Sequence, residues 1–365
     1  MWRGAGADGS APTPGLALER APATTLAGMT TTPLSGPATT PTPTPTDDLA
    51  ATAPPIALGA MLFGTRHDDA ASFELLDAYV EAGGVWIDTA DCYAFWADDS
   101  GRGGQSEPVL GRWLAARPGM RDRVRIATKV GCEPLWPGSF PDRTTGLGAD
   151  VVRSVARQSL DRMGIDRIDL FWAHRDDRST PLPEIVDGFA GLVADGVVGA
   201  WGFSNTALWR VERAAGTARA RGLAEPTALQ LRYSYLQPRP MVRDHEHDHR
   251  FGWITDEVLD YAEAEPAVGL WAYSPLMSGA YERADRPVPE GFDHPGTARR
   301  LAVLAEVAAG LGVSRSEVVL AWLAGGSPRV APVVGVSSLG QLATAMAGVR
   351  LELPPADRER LDAAW

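Results

Sequence analysis

Lysine is almost missing from this chain. Of the 34 basic residues among 365, Lys129 is the one lysine and the other 33 are arginines. On a solvated surface the two serve nearly alike, so a drift toward arginine removes lysine wherever either will do. They differ where a compact ammonium, an adjustable pKa or an amine is needed. Lys129, in "IATKV" (126–130), is therefore expected to have a chemical task.

Other shortages exclude whole classes. Two cysteines, Cys92 and Cys132, make no disulfide framework, so a reducing cytoplasm with packed thiols is expected. Positive charge is in deficit: the net charge of −12 speaks against non-specific nucleic-acid binding and against docking on an anionic membrane. No apolar run approaches the roughly 20 residues that span a bilayer. A G-x-G-x-x-G turn is absent, which removes the usual phosphate turn of a doubly wound dinucleotide fold. The N-terminus lacks the basic start and apolar stretch of a secretory signal.

What is present falls into two parts. Residues 1–55 hold 10 prolines and 12 threonines, including "TPTPTPT" at 40–46, and offer little to bury. They are expected to be a disordered tail. From residue 56 to 365 the pattern is regular. Eight β-rich runs recur: "IALGAMLFG" (56–64), "GVWIDTA" (84–90), "VRIATKV" (124–130), "RIDLFWAH" (167–174), "VGAWGFSN" (198–205), "TALQLRYS" (227–234), "VGLWAYSP" (268–275) and "VAPVVGVS" (330–337). Between them lie segments of helical period at 68–84, 149–164, 181–196 and 255–265, with an additional helix at 314–326. Strands alternating with helices imply right-handed βαβ units. Eight units over about 300 residues fit a (β/α)8 TIM barrel, an α/β fold.

In such a barrel chemistry sits where strands end. Strand two runs into Asp88-Thr-Ala-Asp-Cys-Tyr93, strand three ends at Lys129 and strand four at His174. Strand five ends at Ser204 and Asn205, strand six carries Gln230 and Tyr233, strand seven ends at Tyr273 and strand eight at Gly335. Singly, His174 reads as a core histidine, Asp88 as a cap and Tyr93 as a packed aromatic. Four such groups on consecutive strand ends point to general acid chemistry. A phenol near pKa 10 is a weak acid at neutral pH, and a neighbouring ammonium lowers that value. Asp88 would hold the ammonium, His174 would bond a carbonyl oxygen, and Tyr93 would protonate it.

The motifs "LGAMLFGT", "WIDTADCY", "ATKV", "SLDRMGIDRIDLFWAH", "GFSN", "QLRYSYL" and "AYSPLMSG", in this order, resemble the aldo-keto reductase family from about residue 56 to the C-terminus. The resemblance implies a barrel that transfers hydride from a nicotinamide cofactor, usually NADPH, to a small-molecule carbonyl. Its catalytic residues would be Asp88, Tyr93, Lys129 and His174. Ser204, Asn205 and Gln230 would meet the carboxamide, and Tyr273 would stack on the nicotinamide. Leu276 and Ser278 would lie near the pyrophosphate, Thr65 and Asp88 near the ribose, and Gly335, Ser337, Ser338 and Gln341 toward the adenosine.

The chain also departs from that pattern. "GVSSLGQLATAM" after strand eight lacks the Lys or Arg that normally meets a 2′-phosphate, so NADH or dual use stands beside NADPH. The loop after Tyr93 is long and carries Phe95 and Trp96, and the next rim loop carries Trp136; these three would wall the substrate pocket. "HEHDHR" (245–250) has metal-like spacing, yet it sits in a polar loop and no metal is expected. Two other readings are carried: a Schiff-base lyase using Lys129, and a nicotinamide-sensing regulatory barrel.

Overall fold

The computed structural model describes residues 55–241 and 252–364. Residues 1–54 of the expected tail, and His245, His247 and His249 of the polar loop, lie outside them. Eight strands, Ala57–Gly59 (β1), Trp86–Asp88 (β2), Arg125–Val130 (β3), Ile168–Ala173 (β4), Val198–Ser204 (β5), Ala228–Arg232 (β6), Gly269–Tyr273 (β7) and Val330–Val334 (β8), pair in parallel and in chain order. β1 pairs β8 and closes the barrel. Each strand lies inside the run read for it.

The helices are Asp69–Glu81 (α1), Ser106–Ala115 (α2), Met120–Arg123 (α3), Ala149–Met163 (α4), Leu182–Ala194 (α5), Leu208–Ala220 (α6), Asp256–Ala264 (α7), Pro295–Leu311 (α8), Arg315–Ala324 (α9), Leu339–Gly348 (α10) and Pro355–Asp362 (α11). α4 shows why such segments fold on the barrel. Val152, Val155, Ala156, Ser159 and Met163 form one buried stripe, and Gly164 closes the helix in the left-handed region. α9 starts with a capping box, Ser314 with Glu317. α2, α3, α6, α8, α10 and α11 fall outside the segments of helical period; α6, for example, buries mainly the small residues Ala214, Ala215 and Ala218. Among the described residues no single helix is long and apolar enough to cross a membrane.

The pleat divides each strand's side chains between two cores. Ile87, Ile126, Phe171, Leu229 and Leu270 point outward against helices. Inside, Trp172 and Trp271 pack with Ala57, Ala127, Ala228 and Val333. Trp271 meets Trp86 edge-on at 5.2 Å and Trp172 at 5.5 Å. Such large rings fit a narrow barrel only because the facing positions are small. Gly202 is the tightest of these. A Cβ there would lie 2.3 Å from the Ala228 carbonyl oxygen and 2.9 Å from the Trp172 ring. Gly202→Ala is expected to lose about 3 kcal/mol, the upper end for overpacking, since a backbone atom cannot move aside. Gly191→Ala, on a helix with nothing within 4 Å, is the control and should gain about 0.5 kcal/mol. Urea unfolding of both variants checks the pair.

The tryptophan layer sets the next layer up. Two residues beyond Trp86, Ala127, Trp172, Gly202, Ala228 and Trp271 stand Asp88, Lys129, His174, Ser204, Gln230 and Tyr273. A period of two gives all six the same inward side, at the carboxyl end of the barrel.

Candidate active site

Lys129 is fully buried, and Asp88 is 1% exposed. The Lys129 Nζ donates to Asp88 Oδ2 at 2.5 Å, to the Thr89 carbonyl at 2.7 Å and to the Tyr93 hydroxyl at 2.5 Å. Three donors thus meet three oxygens in three directions, which a planar guanidinium cannot match. Asp88 receives Gln230 Nε2 on its other oxygen at 2.9 Å. The carboxylate is therefore spanned by β3 and β6 and cannot swing. Burial alone draws the Lys129 pKa down, and the Asp88 charge opposes that. A buried pair of this kind is stable only when its remaining lone pairs and protons are bonded, and here they are.

Tyr93 lies on the turn after β2. That turn is tied to β3 by Thr89 N to the Ala127 carbonyl (2.8 Å) and Asp91 N to the Lys129 carbonyl (3.2 Å). Gly103 lets the long loop pass beneath it: with φ +76°, it holds a Cβ position only 2.3 Å from the Cys92 carbonyl oxygen. The Tyr93 ring stands edge-on to His174 at 5.7 Å. The sequence led to a lowered Tyr93 pKa, and here the structure differs. Burial, then the Asp88 charge, push the phenol well above its ordinary value. The reason is that Asp88 already balances the ammonium, so little positive potential is left for a phenolate.

The other expected residues divide by position. Asn205, at φ +49°, donates to the His174 carbonyl and to Ser204 Oγ, both at 3.1 Å, and accepts from the Tyr273 hydroxyl at 2.8 Å. Ser204, Asn205, Gln230 and Tyr273 therefore form one connected wall beside Asp88. After β7, Ser274, Met277 and Ser278 all adopt positive φ (53°, 49° and 55°), and Leu276 is half-buried among them. Non-glycine residues held this way cost energy and concentrate at ligand clamps. Thr65 turns its hydroxyl to the Leu62 carbonyl at 3.0 Å. Gly335, Ser337, Ser338 and Gln341 are exposed; Ser338 caps α10, and Gln341 Oε1 accepts from Ser337 N at 2.8 Å. Tyr233 leaves the set: it packs outward on the Trp322 ring at 5.6 Å, and burial pushes its pKa up to about 12.

Above Tyr93, Phe95 contacts Trp96 and Phe140, each at 4.9 Å, and the Arg175 guanidinium lies 5.6 Å over the Phe140 ring. Trp96 and Trp136 are each 54% exposed. Phe95, Trp96 and Phe140 thus form one aromatic cluster in the loops that follow β2 and β3.

Two groups beside the site were not singled out. Glu107, fully buried, bridges Arg162 (2.6 Å) and Thr128 (2.6 Å) behind β3. Asp91 is 6% exposed, and its carboxylate meets no nitrogen or hydroxyl donor, only the thiol of Cys92. Burial, followed by the Glu107 charge, raises the Asp91 pKa to about 8. The folded state then holds a proton that the unfolded chain releases near pH 4. Stability is therefore fully present below that value and falls as pH rises toward 8. Asp91→Asn should gain on wild type by up to about 1.4 kcal/mol per pH unit between pH 5 and 8. Urea unfolding across that range reads it; parallel curves for the two proteins would contradict the assignment.

A buried ammonium and carboxylate and a half-buried phenol thus stand beside an imidazole at the carboxyl rim of a closed parallel (β/α)8 barrel. A sequence model described as the Aldo/keto reductase family matches residues 55–365. The chain belongs to that family. An uncharacterised oxidoreductase, YrpG, of Bacillus subtilis is 29% identical over 309 residues, 82% of this chain and 88% of the relative. The norsolorinic acid reductase stcV of Emericella nidulans is 31% identical over 313 residues, 82% of this chain and 75% of the relative. The aldo-keto reductase ausK of the same fungus is 29% identical over 332 residues, 84% and 77% respectively.

Proposed function

We propose that this chain reduces an aldehyde or ketone to the alcohol, with Tyr93 giving the proton to the carbonyl oxygen. One observation carries the reading: the phenol oxygen of Tyr93 lies 2.5 Å from the Nζ of the chain's sole, fully buried lysine. The nicotinamide of a bound reduced dinucleotide would supply the hydride. His174 bonds the carbonyl oxygen and fixes it against the Tyr93 hydroxyl. As negative charge grows on that oxygen, Tyr93 transfers its proton, and the Lys129 Nζ–H already aimed at the Tyr93 oxygen donates to the phenolate left behind, with Asp88 keeping the ammonium's charge balanced. The raised phenol pKa suits this order. Tyr93 stays protonated until an alkoxide forms, and an alkoxide, whose conjugate acid is about as weak as water, is basic enough to take the proton. Lys129 as a Schiff-base nucleophile is disfavoured, because its three N–H groups are already spent on Asp88, Thr89 and Tyr93.

The wall of Ser204, Asn205, Gln230 and Tyr273 fits a flat, amide-bearing ring. Gln230 spends its NH2 on Asp88, which leaves its carbonyl for a carboxamide N–H. Leu276 and Ser278 lie in a loop with left-handed Ser274, Met277 and Ser278, and would meet the pyrophosphate. Thr65 and Asp88 border the ribose. No cationic residue occurs from Gly335 through Ser337 and Ser338 to Gln341. The adenosine end thus lacks a charged partner for a 2′-phosphate, which favours acceptance of NADH beside the NADPH usual in the family. Fluorescence titration with both, followed by loss of reduced-nicotinamide absorbance on adding carbonyls, tests this. Binding without any turnover would favour the regulatory barrel.

Phe95, Trp96 and Trp136 favour a bulky aromatic carbonyl as substrate. Trp96→Ala is expected to raise KM for an aromatic ketone about 3- to 10-fold, the worth of one ring contact, and to leave a small aldehyde unaffected. Equal effects on both substrates would remove Trp96 from the pocket.

A further inference from the structure

The reaction just described gives Asp91 and Cys92 nothing to do, although both are buried beside its centre. We infer that Asp91, Cys92 and His174 form a site for a soft divalent cation of the zinc class, and that a cation held there switches the enzyme off. A carboxylate oxygen of Asp91, the Cys92 Sγ and a ring nitrogen of His174 all lie within 4.8 Å of one another. A second observation is that the Asp91 carboxylate, 6% exposed, meets no nitrogen or hydroxyl donor and has only the thiol of its neighbour Cys92 as a polar partner. Such a group is costly to bury. A bound cation would satisfy it.

The donor set selects the ion. Thiolate, imidazole and one carboxylate suit Zn2+, Co2+ or Cd2+; Mg2+ and Ca2+ want oxygen donors. Zinc holds such donors at about 2.0–2.3 Å, which puts three tetrahedral donors roughly 3.3–3.8 Å apart. His174 is the half-buried member of the set, and a fourth ligand at such a three-residue site would be water. On binding, the Cys92 thiol gives its proton to solvent, and any proton on Asp91 leaves with it.

The consequence for activity follows from position. Cys92 precedes Tyr93 directly. A cation on His174 ties up a nitrogen of the ring that would bond the carbonyl, and adds a positive charge near Lys129. The switch rests on the role proposed for His174; the cation site does not.

The experiment is absorbance titration of the purified full-length chain with Co2+, with turnover measured in parallel under Zn2+. A thiolate-to-cobalt band is expected, saturating near about one equivalent. It should persist in Cys132→Ala and in the combined variant His245→Ala, His247→Ala, His249→Ala, and vanish in Cys92→Ala. Cys92→Ala should need at least about tenfold more Zn2+ than wild type for equal inhibition. No band in wild type, or a band surviving in Cys92→Ala, overturns the site. A band with undiminished turnover overturns the switch. A band in a chain that reduces no carbonyl removes the reductase reading and upholds the site.

Discussion

Tyr93→Phe should lower carbonyl turnover by about 10²- to 10⁴-fold, the usual worth of a positioned general acid, and leave cofactor affinity within about twofold. The split is the informative part. The substitution deletes one oxygen that Lys129 holds at 2.5 Å and keeps the ring that stands edge-on to His174. It touches neither Ser204, Asn205 and Gln230 nor the loop at Ser274–Ser278. Single-turnover reduction and fluorescence titration of the same preparation read the two halves. Equal loss of binding and turnover would mean that Tyr93 is a packing residue.

Lys129→Arg should be folded and inactive, with turnover down at least about 100-fold. The positive charge is kept, so Asp88 stays paired and the barrel survives. What fails is shape: a flat fork cannot point at Asp88, the Thr89 carbonyl and the Tyr93 hydroxyl at once. Lys129→Met separates charge from shape. It strands Asp88, 1% exposed, as an unpaired charge and should cost about 3–5 kcal/mol. Circular dichroism and urea unfolding beside turnover distinguish the cases. Near wild-type activity in Lys129→Arg would mean that the chain's one lysine is an accident of composition.

The molecule explains which features its sequence disclosed. The eight strands were legible because β-branched and aromatic runs alternate with turn residues, and the barrel closes in chain order. The rim layer was legible because Asp88, Lys129, His174, Ser204, Gln230 and Tyr273 keep strand parity with the residues packed inside the barrel. The same parity puts Tyr233 outside: it is an odd number of residues from Gln230, and it packs on Trp322. Parity ends where strands end. Asp91 and Cys92 lie on a turn, so nothing in their spacing told that they are buried against His174. The direction of the Tyr93 pKa was missed for a similar reason. The ammonium was visible in the sequence, but the balance between it, Asp88 and burial is three-dimensional. Beyond β8 the sequence carries no charge to read, and Ser338 and Gln341 are engaged in capping α10 and Ser337.

The most direct test uses a nicotinamide dinucleotide deuterated at the transferred position, an aromatic ketone and the purified chain, with product analysed by mass spectrometry. The account predicts an alcohol one mass unit heavier, labelled at the carbinol carbon, formed by wild type and lost in Tyr93→Phe. Unlabelled product, or borohydride trapping of the carbonyl on Lys129, would contradict it.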